Sequence, residues 1–286
     1  MNIVTYNIQY GLGADGRTDL SRIAGELAGA DIIALQEVER LWQRSGTVDQ
    51  VAELARLLPD MHWVFGANLD VDASLPGPDG RPQHRRRQFG NMILSRWPII
   101  STRNFPLPKF GTLRDHAIQR GLLEAVVAPE GRAMRLYTTH LCHLGAATRL
   151  PQLRFVLEVL ARAPAEGGAW SGGHPDPEAG WTEGGPPPMP RDALLMGDLN
   201  FRPDSDEYDL VAGPRRGEGR VWSLDGLVDA HVAAGHAEAA GATHPAGGRI
   251  DHVFLSAGLL PRLRGLRVDS DATGSDHWPV WIELDA

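Results

Sequence analysis

Two apolar runs in this chain do not alternate with polar residues, and that constrains its fold more than any other feature. Asp31-Ile32-Ile33-Ala34-Leu35-Gln36-Glu37-Val38 stays apolar until a Gln-Glu pair, and Ala193-Leu194-Leu195-Met196 leads into Gly197-Asp198-Leu199-Asn200. A strand with one wet face alternates, so a continuous run implies burial on both faces. Each run ends in a carboxylate, and a buried carboxylate is costly unless it is paired or bound to metal. On an extended chain, Asp198 and Asn200 would point the same way, because side chains repeat every two residues. The competing reading of Gly-Asp-x-Asn is an ordinary Asx turn. Four further strand-like runs with polar ends favour a cleft.

In chain order, Ile3-Val4-Thr5-Tyr6-Asn7-Ile8 reads as a first strand with Asn7 near its end. A helix capped by Thr18 or Asp19 follows, with Leu20, Ile23, Leu27 and Ala30 on one face. Helical spacing returns over residues 48–58, and Trp63-Val64-Phe65-Gly66 is a short strand. Asp70 to Arg87 is polar with three prolines and reads as a surface loop. Gly90–Ser95 is strand-like, and Arg120–Val127 pairs with Met134–Leu141, which ends at His140. Arg149–Arg162 is an amphipathic helix. Residues 164–190 hold seven glycines and seven prolines, which suits a surface insertion and no core. A helix near 204–210, a strand over Arg249–Leu255 and a loop and strand over Gly274–Ile282 close the chain. One domain over 1–286 is the expectation.

The strand-end residues are Asn7, Glu37, His140, Asp198, Asn200, Asp251, Asp276 and His277. Carboxylate and amide oxygens suit Mg²⁺ or Mn²⁺; no cysteine pair or His-x-x-x-His supports zinc. Two histidines and a spare Asp suit phosphate-charge stabilisation and activation of water. The set points to metal-assisted attack of water on phosphorus.

These blocks resemble the endonuclease/exonuclease/phosphatase superfamily, which includes sphingomyelinases and inositol-phosphate phosphatases. The resemblance rests on Thr5-Tyr6-Asn7, Leu35-Gln36-Glu37, Thr139-His140-Leu141, Gly197-Asp198-Leu199-Asn200, Arg249-Ile250-Asp251-His252 and Ser275-Asp276-His277-Trp278-Pro279. It implies an α/β (α+β) four-layer sandwich, two central mixed β-sheets flanked by helices, with the site at one end of the sheets. It further implies Glu37 and Asn7 as metal ligands with Asp276 at the edge. Asp198 would orient or deprotonate the water, and Asn200 would place the phosphate. His140 and His277 would stabilise charge, with Asp251 fixing the His277 tautomer. His252 falls on the opposite strand face and reads as structural. Arg120 suits either a phosphate or a carboxylate, and Asn91 is equally open.

Composition narrows the substrate. With 42% hydrophobic and 22% charged residues the chain has an ordinary globular composition. A net charge of -8 disfavours a broad nucleic-acid grip. A small phosphoester or lipid headgroup is therefore expected. The alternative is a DNA or RNA nuclease gripping through Arg81, Arg85, Arg86 and Arg87. A catalytically silent binding module is the third reading, disfavoured by so many carboxylates at strand ends. Peripheral membrane contact through Trp170 and Trp181 in the insertion stays open. The single cysteine, Cys142, rules out an intrachain disulfide. With no signal-like N-terminus and no run long enough to span a bilayer, the default expectation is a cytoplasmic protein.

Overall fold

The computed structural model describes every residue except Glu218, Gly247 and Ala286. Two six-stranded mixed sheets lie at its centre. The first runs, in spatial order, Leu263–Val268, Val280–Leu284, Asn2–Asn7, Ile32–Arg40, Arg86–Ser95 and His62–Asp72. The second runs Leu227–Asp229, Asp251–Ser256, Ala193–Asp198, Met134–His140, Gly121–Val127 and Ser101–Pro106. Each sheet holds one parallel pair at its middle, Asn2–Asn7 with Ile32–Arg40 and Met134–His140 with Ala193–Asp198. All other neighbours are antiparallel.

Strand alternation sorts the core into layers. Ile3, Ile32, Ala34 and Ile93 of the first sheet meet Leu123, Leu136, Leu194, Met196 and Val253 of the second. The opposite face of the first sheet, with Val4, Tyr6, Ile33 and Leu35, packs on Leu20, Ile23, Val51 and Leu54 of two helices. The outer face of the second, with Tyr137, Leu195 and Phe254, packs on Leu153, Val156, Leu160 and Tyr208. Four layers result, helix–sheet–sheet–helix, which explains why the central runs are apolar on both faces.

The outer helices begin where side-chain acceptors stand. Asp19 accepts from Ser21 N and Arg22 N to start Leu20–Glu26, and Asp49 accepts from Ala52 N to start Gln50–Leu57. Ser205 does the same for Asp206–Ala212 through Tyr208 N. The helix Ala146–Glu166 passes Arg162 and contains Pro164. That proline has no N–H for the Leu160 carbonyl, which instead accepts from Arg135 Nη1 at 2.8 Å. Among the described residues, no helix is long and apolar enough to cross a membrane.

Three expectations are corrected. Residues 70–87 form a β ribbon and not a loop. Asp70, Val71 and Asp72 pair with Gln88, Arg87 and Arg86, and a short hairpin joins Leu75–Pro76 to Pro82–Gln83. The strand through Glu37 does not end there but continues to Arg40, so the ribbon projects beyond Glu37. Three strands of the two large sheets were not anticipated, Ser101–Pro106, Leu227–Asp229 and Leu263–Val268, nor was the small hairpin of Arg215–Arg216 with Gly219–Arg220. Ser101–Pro106 is an edge strand, Leu227–Asp229 has three residues, and the Leu263–Val268 edge is broken by a bulge. Each carries too little alternation to be read from sequence.

The first three residues of the Gly/Pro-rich segment, 164–166, still belong to the helix Ala146–Glu166, and the rest has no strand and only a short helical turn at Pro177–Ala179. Its C-terminal end lies beside Arg135, whose N–H donates to the Asp192 carbonyl at 2.9 Å. Arg135 starts the strand that ends at His140, so this end of the segment sits about 20 Å away, at the opposite end of the sheets.

Candidate active site

Parallel pairing brings the C-terminal ends of neighbouring strands together. Asn7 is in register with Gln36, and Asp198 with His140; antiparallel pairing sets Asp251 opposite Asp198. Alternation then aims the side chains. Asn7 shares the face of Ile3, Asp198 that of Leu194 and Met196, His140 that of Leu136, and Asp251 that of Val253. All four therefore point between the sheets, where the apolar core ends. A polar tier marks the boundary: Gln36 Nε2 donates to Thr5 Oγ1 at 3.1 Å and to Thr138 Oγ1 at 2.8 Å, tying the sheets together.

Glu37 arrives differently. By alternation it would face the outer helices with Ile33 and Leu35. Gln36 and Glu37 instead oppose the single residue Asn91, and Glu37 has φ 61°. This bulge turns its carboxylate toward Asn7 and His140, at a backbone cost of about 1–3 kcal/mol.

The contacts are dense. Asn7 Nδ2 donates to Asp198 Oδ2 at 3.0 Å and to Glu37 Oε1 at 3.3 Å. His140 Nε2 is 3.2 Å from Asp198 Oδ2, and its Nδ1 is 3.5 Å from Glu37 Oε1. His277 Nδ1 bonds Asp251 Oδ2 at 2.8 Å, and its Nε2 lies 3.7 Å from Asp198 Oδ2. Ser275 fixes that loop by donating to the Asn7 carbonyl at 2.7 Å and accepting from His277 N. Asp276 stands at the exposed edge, 4.0 Å from His277 Nε2, and accepts from Gln9 Nε2 at 2.8 Å. Asn200 also reaches the site, but not by alternation. The strand stops at Asp198, and Asn200 has φ 55°. Its N–H donates to Asp198 Oδ1 at 3.0 Å and its Nδ2 to the Leu141 carbonyl at 3.0 Å. Gly-Asp-x-Asn therefore closes as an Asx turn, with Asp198 at the strand end pointing between the sheets.

Burial governs the electrostatics. Asp198 is pushed up to about 7 by burial and then by the Asp251 charge, against the pull of His277 and Asn7. Burial alone would lower His277, but the charge and hydrogen bond of Asp251, joined by the charges of Asp198 and Asp276, lift the imidazole to about 10. Burial holds His140 well below its ordinary value, and Arg120 and His277 push the same way. Burial thus keeps His140 neutral although two carboxylates lie close. Burial also raises Glu37, opposed by Arg120, Asn7 and His277.

The donor set fits a hard divalent cation. Glu37 and Asp276 offer carboxylate oxygens, and Asn7 Oδ1 accepts only from Gln9 N. Asp251 Oδ1 is buried without a hydrogen-bond partner. Among the described residues, two triads bring their ligand atoms within 4.8 Å of one another: Asp198–Asp251–His277 and His244–Asp276–His277. Glu37 is in neither. In the first triad the imidazole is already bonded to Asp251, which makes it a proton-holding pair more than a metal cage.

The structure adds two neighbours, His244 and Gln9, and places Arg120. His244, on the loop before Arg249, has Nε2 3.8 Å from Asp276 and its ring edge-on to His277 at 5.0 Å. Nothing local to its sequence marks it, since the Thr243 carbonyl holding that loop to Trp278 N is a tertiary contact. Gln9 sits two residues past Asn7, and Arg120 is buried beside Glu37 and Asp198. His252 is structural, as read: Nε2 bonds the Phe201 carbonyl at 2.9 Å and the ring stacks on Phe201. Asn91 is settled too, its amide donating to the Gly121 carbonyl at 3.0 Å.

The sequence model of the Endonuclease/Exonuclease/phosphatase family matches residues 4–277. Among solved structures, an endonuclease/exonuclease/phosphatase from Beutenbergia cavernae is 24% identical with a TM-score of 0.68, covering 100% of this chain and 72% of that one. The mannosyl-6-phosphatase of Bacteroides thetaiotaomicron is 18% identical with a TM-score of 0.65, covering 100% of both chains. D. rerio TDP2 complexed with single-strand DNA product is 19% identical with a TM-score of 0.63, covering 100% of this chain and 99% of that one. No curated protein matches this sequence.

Proposed function

This chain belongs to the endonuclease/exonuclease/phosphatase family, and from that premise we propose that it hydrolyses a phosphoester of a small molecule or lipid headgroup with Mg²⁺ or Mn²⁺. The observation that carries the reading is Asp198, a buried carboxylate raised to about 7 where Asn7, His140 and His277 converge. A general base works best with a value near the operating pH.

Glu37 and Asn7, with Asp276 at the edge, would hold Mg²⁺ or Mn²⁺, which would supply Lewis-acid polarisation of the phosphoryl group. Asp198 accepts the proton of the attacking water, with Asn7 Nδ2 orienting its carboxylate. His277, protonated through its bond to Asp251, stabilises charge on the non-bridging oxygens. Neutral His140 serves as a hydrogen-bond donor and not as a second cation. Asn200 helps to place the phosphate from the turn after Asp198.

Hydrolysis of bis-p-nitrophenyl phosphate and p-nitrophenyl phosphate with Mg²⁺, Mn²⁺ or EDTA, beside an Asp198→Asn control, tests this. Metal-dependent cleavage that survives in Asp198→Asn would refute the assignment. Cleavage of the diester or only the monoester sorts phosphodiesterase from phosphatase.

A nuclease is the second reading, favoured by the likeness to the DNA-product complex of D. rerio TDP2 and by the ribbon beyond Glu37. The ribbon is less basic than its sequence. Arg86 pairs with Asp70 at 2.8 Å, Arg81 lies 3.7 Å from Asp79, and Arg87 donates to the Leu41 carbonyl beside the Trp42 ring. Steep weakening of single-stranded DNA binding with salt, relieved by changing Arg85 and Arg87 to Ala, would favour it.

The alkaline limb of kcat/KM provides a further check. The raised His277 value stabilises the fold fully below pH 6.5, and that contribution is lost as pH rises through 10. In Asp251→Asn the largest part of the offset to burial is gone, so the alkaline limb is expected to move to lower pH. A limb that stays in place would remove His277 from the proton inventory. Deleting residues 168–188 is expected to leave turnover unchanged, because the segment returns to the sheets at the end away from the site. A tenfold loss of kcat/KM would overturn that placement of its role.

A further inference from the structure

Arg120 immediately precedes the Gly121–Val127 strand. Its carbonyl is held by Leu107 N at 2.9 Å and by Gln119 Nε2 at 2.8 Å. With Leu122 opposite Thr139, the residue lies beside the strand end that carries His140. It is 5% exposed, Nη1 is buried without a hydrogen-bond partner, and no ion pair among the described residues includes it.

Two other arginines are as deeply buried and behave differently. Arg135 directs its Nη atoms to Tyr137 Oη and the Leu160 and Arg191 carbonyls. Arg249 directs its own to Asp229 and the Glu238 carbonyl. A guanidinium stays charged and carries five N–H donors, so burying it unbonded is strongly unfavourable. The nearby charges of Glu37 and Asp198 offset part of that cost without hydrogen-bonding to it. A buried guanidinium with Nη1 unpartnered is complementary to an anion with several oxygens, and phosphate matches its planar geometry.

We propose that Arg120 is a phosphate-binding residue whose guanidinium takes non-bridging oxygens of the scissile group beside Glu37 and His140. The inference rests on the phosphohydrolase reading and adds a cation that the six sequence blocks do not contain. The competing role is charge balance for Glu37 and Asp198, and the two make opposite forecasts.

Arg120→Gln and Arg120→Lys are compared with the wild type, all with Mg²⁺. Inorganic phosphate binding is measured by calorimetry, and kcat and KM on bis-p-nitrophenyl phosphate and p-nitrophenyl phosphate. Phosphate binding is expected to weaken on the order of tenfold to a hundredfold in Arg120→Gln. Arg120→Lys keeps the charge but loses the fork, and should recover only part of it. Mg²⁺ binding without phosphate should hold or tighten, since a cation has left two carboxylates. Unchanged phosphate affinity in both variants, or a wild type that binds no phosphate, overturns the proposal. If Arg120→Gln does not fold, full phosphate affinity in Arg120→Lys overturns it alone. A wild type that binds phosphate but hydrolyses neither ester counts against the proposed function instead.

Discussion

Asp198→Asn is expected to lower kcat by about 10²–10⁴-fold, the range typical of a lost general base, while leaving the fold intact. The amide keeps the shape of the carboxylate and can still accept from Asn200 N or from Asn7 Nδ2, though not from both. Its effect on stability has a definite sign. A carboxylate raised to about 7 is disfavoured as an anion in the folded chain, so its ionisation costs stability as pH rises from the ordinary value through 7. Removing the charge should therefore hold or raise the melting temperature at pH 8 in EDTA. A variant that loses activity and also melts early would be a folding defect. One that keeps kcat within a few-fold would remove Asp198 from the base role.

Glu37→Ala is expected to weaken Mg²⁺ binding by on the order of a hundredfold or more. Losing even a hydrogen-bond partner of a metal ligand costs roughly 10–100-fold, and the remaining ligand groups are one amide and an edge carboxylate. Metal titration read by kcat and, separately, by metal-induced thermal stabilisation measures it. The apo variant should not be less stable than the parent for electrostatic reasons, because burial disfavours the Glu37 anion. The strained φ of 61° also becomes easier with Gly, so Glu37→Gly should melt no lower than Glu37→Ala. Full metal-dependent turnover in Glu37→Ala would end the metal assignment.

Much of this molecule is written locally. Non-alternating runs such as Ile32–Leu35 and Ala193–Met196 announce strands covered on both faces, because hydrophobic burial is decided residue by residue. Asp19, Asp49 and Ser205 announce helix starts, because a cap acts within three residues. The eight polar residues at strand ends were legible as candidates, and the structure gathers all eight at one end of the sheets.

Tertiary structure decided how they are used. Glu37 faces the site only because two residues oppose Asn91 in the neighbouring strand, a register that a sequence read for alternation does not contain. Asn200 contributes through a left-handed turn, where the two-residue period no longer applies. His244 reaches the site from a loop with no periodic signal, and Arg120, legible as a strand start, matters because its buried Nη1 is left without a hydrogen-bond partner. The end of the Gly/Pro-rich segment is placed beside Arg135 by strand direction, which no local pattern in that segment announces. Sequence by itself determined which residues are buried and which chemistry they offer, since burial and capping are local free energies. Register, strand direction and the protonation of Asp198, His140 and His277 depend on charges and backbones far apart in the chain, and only the folded molecule sets those distances.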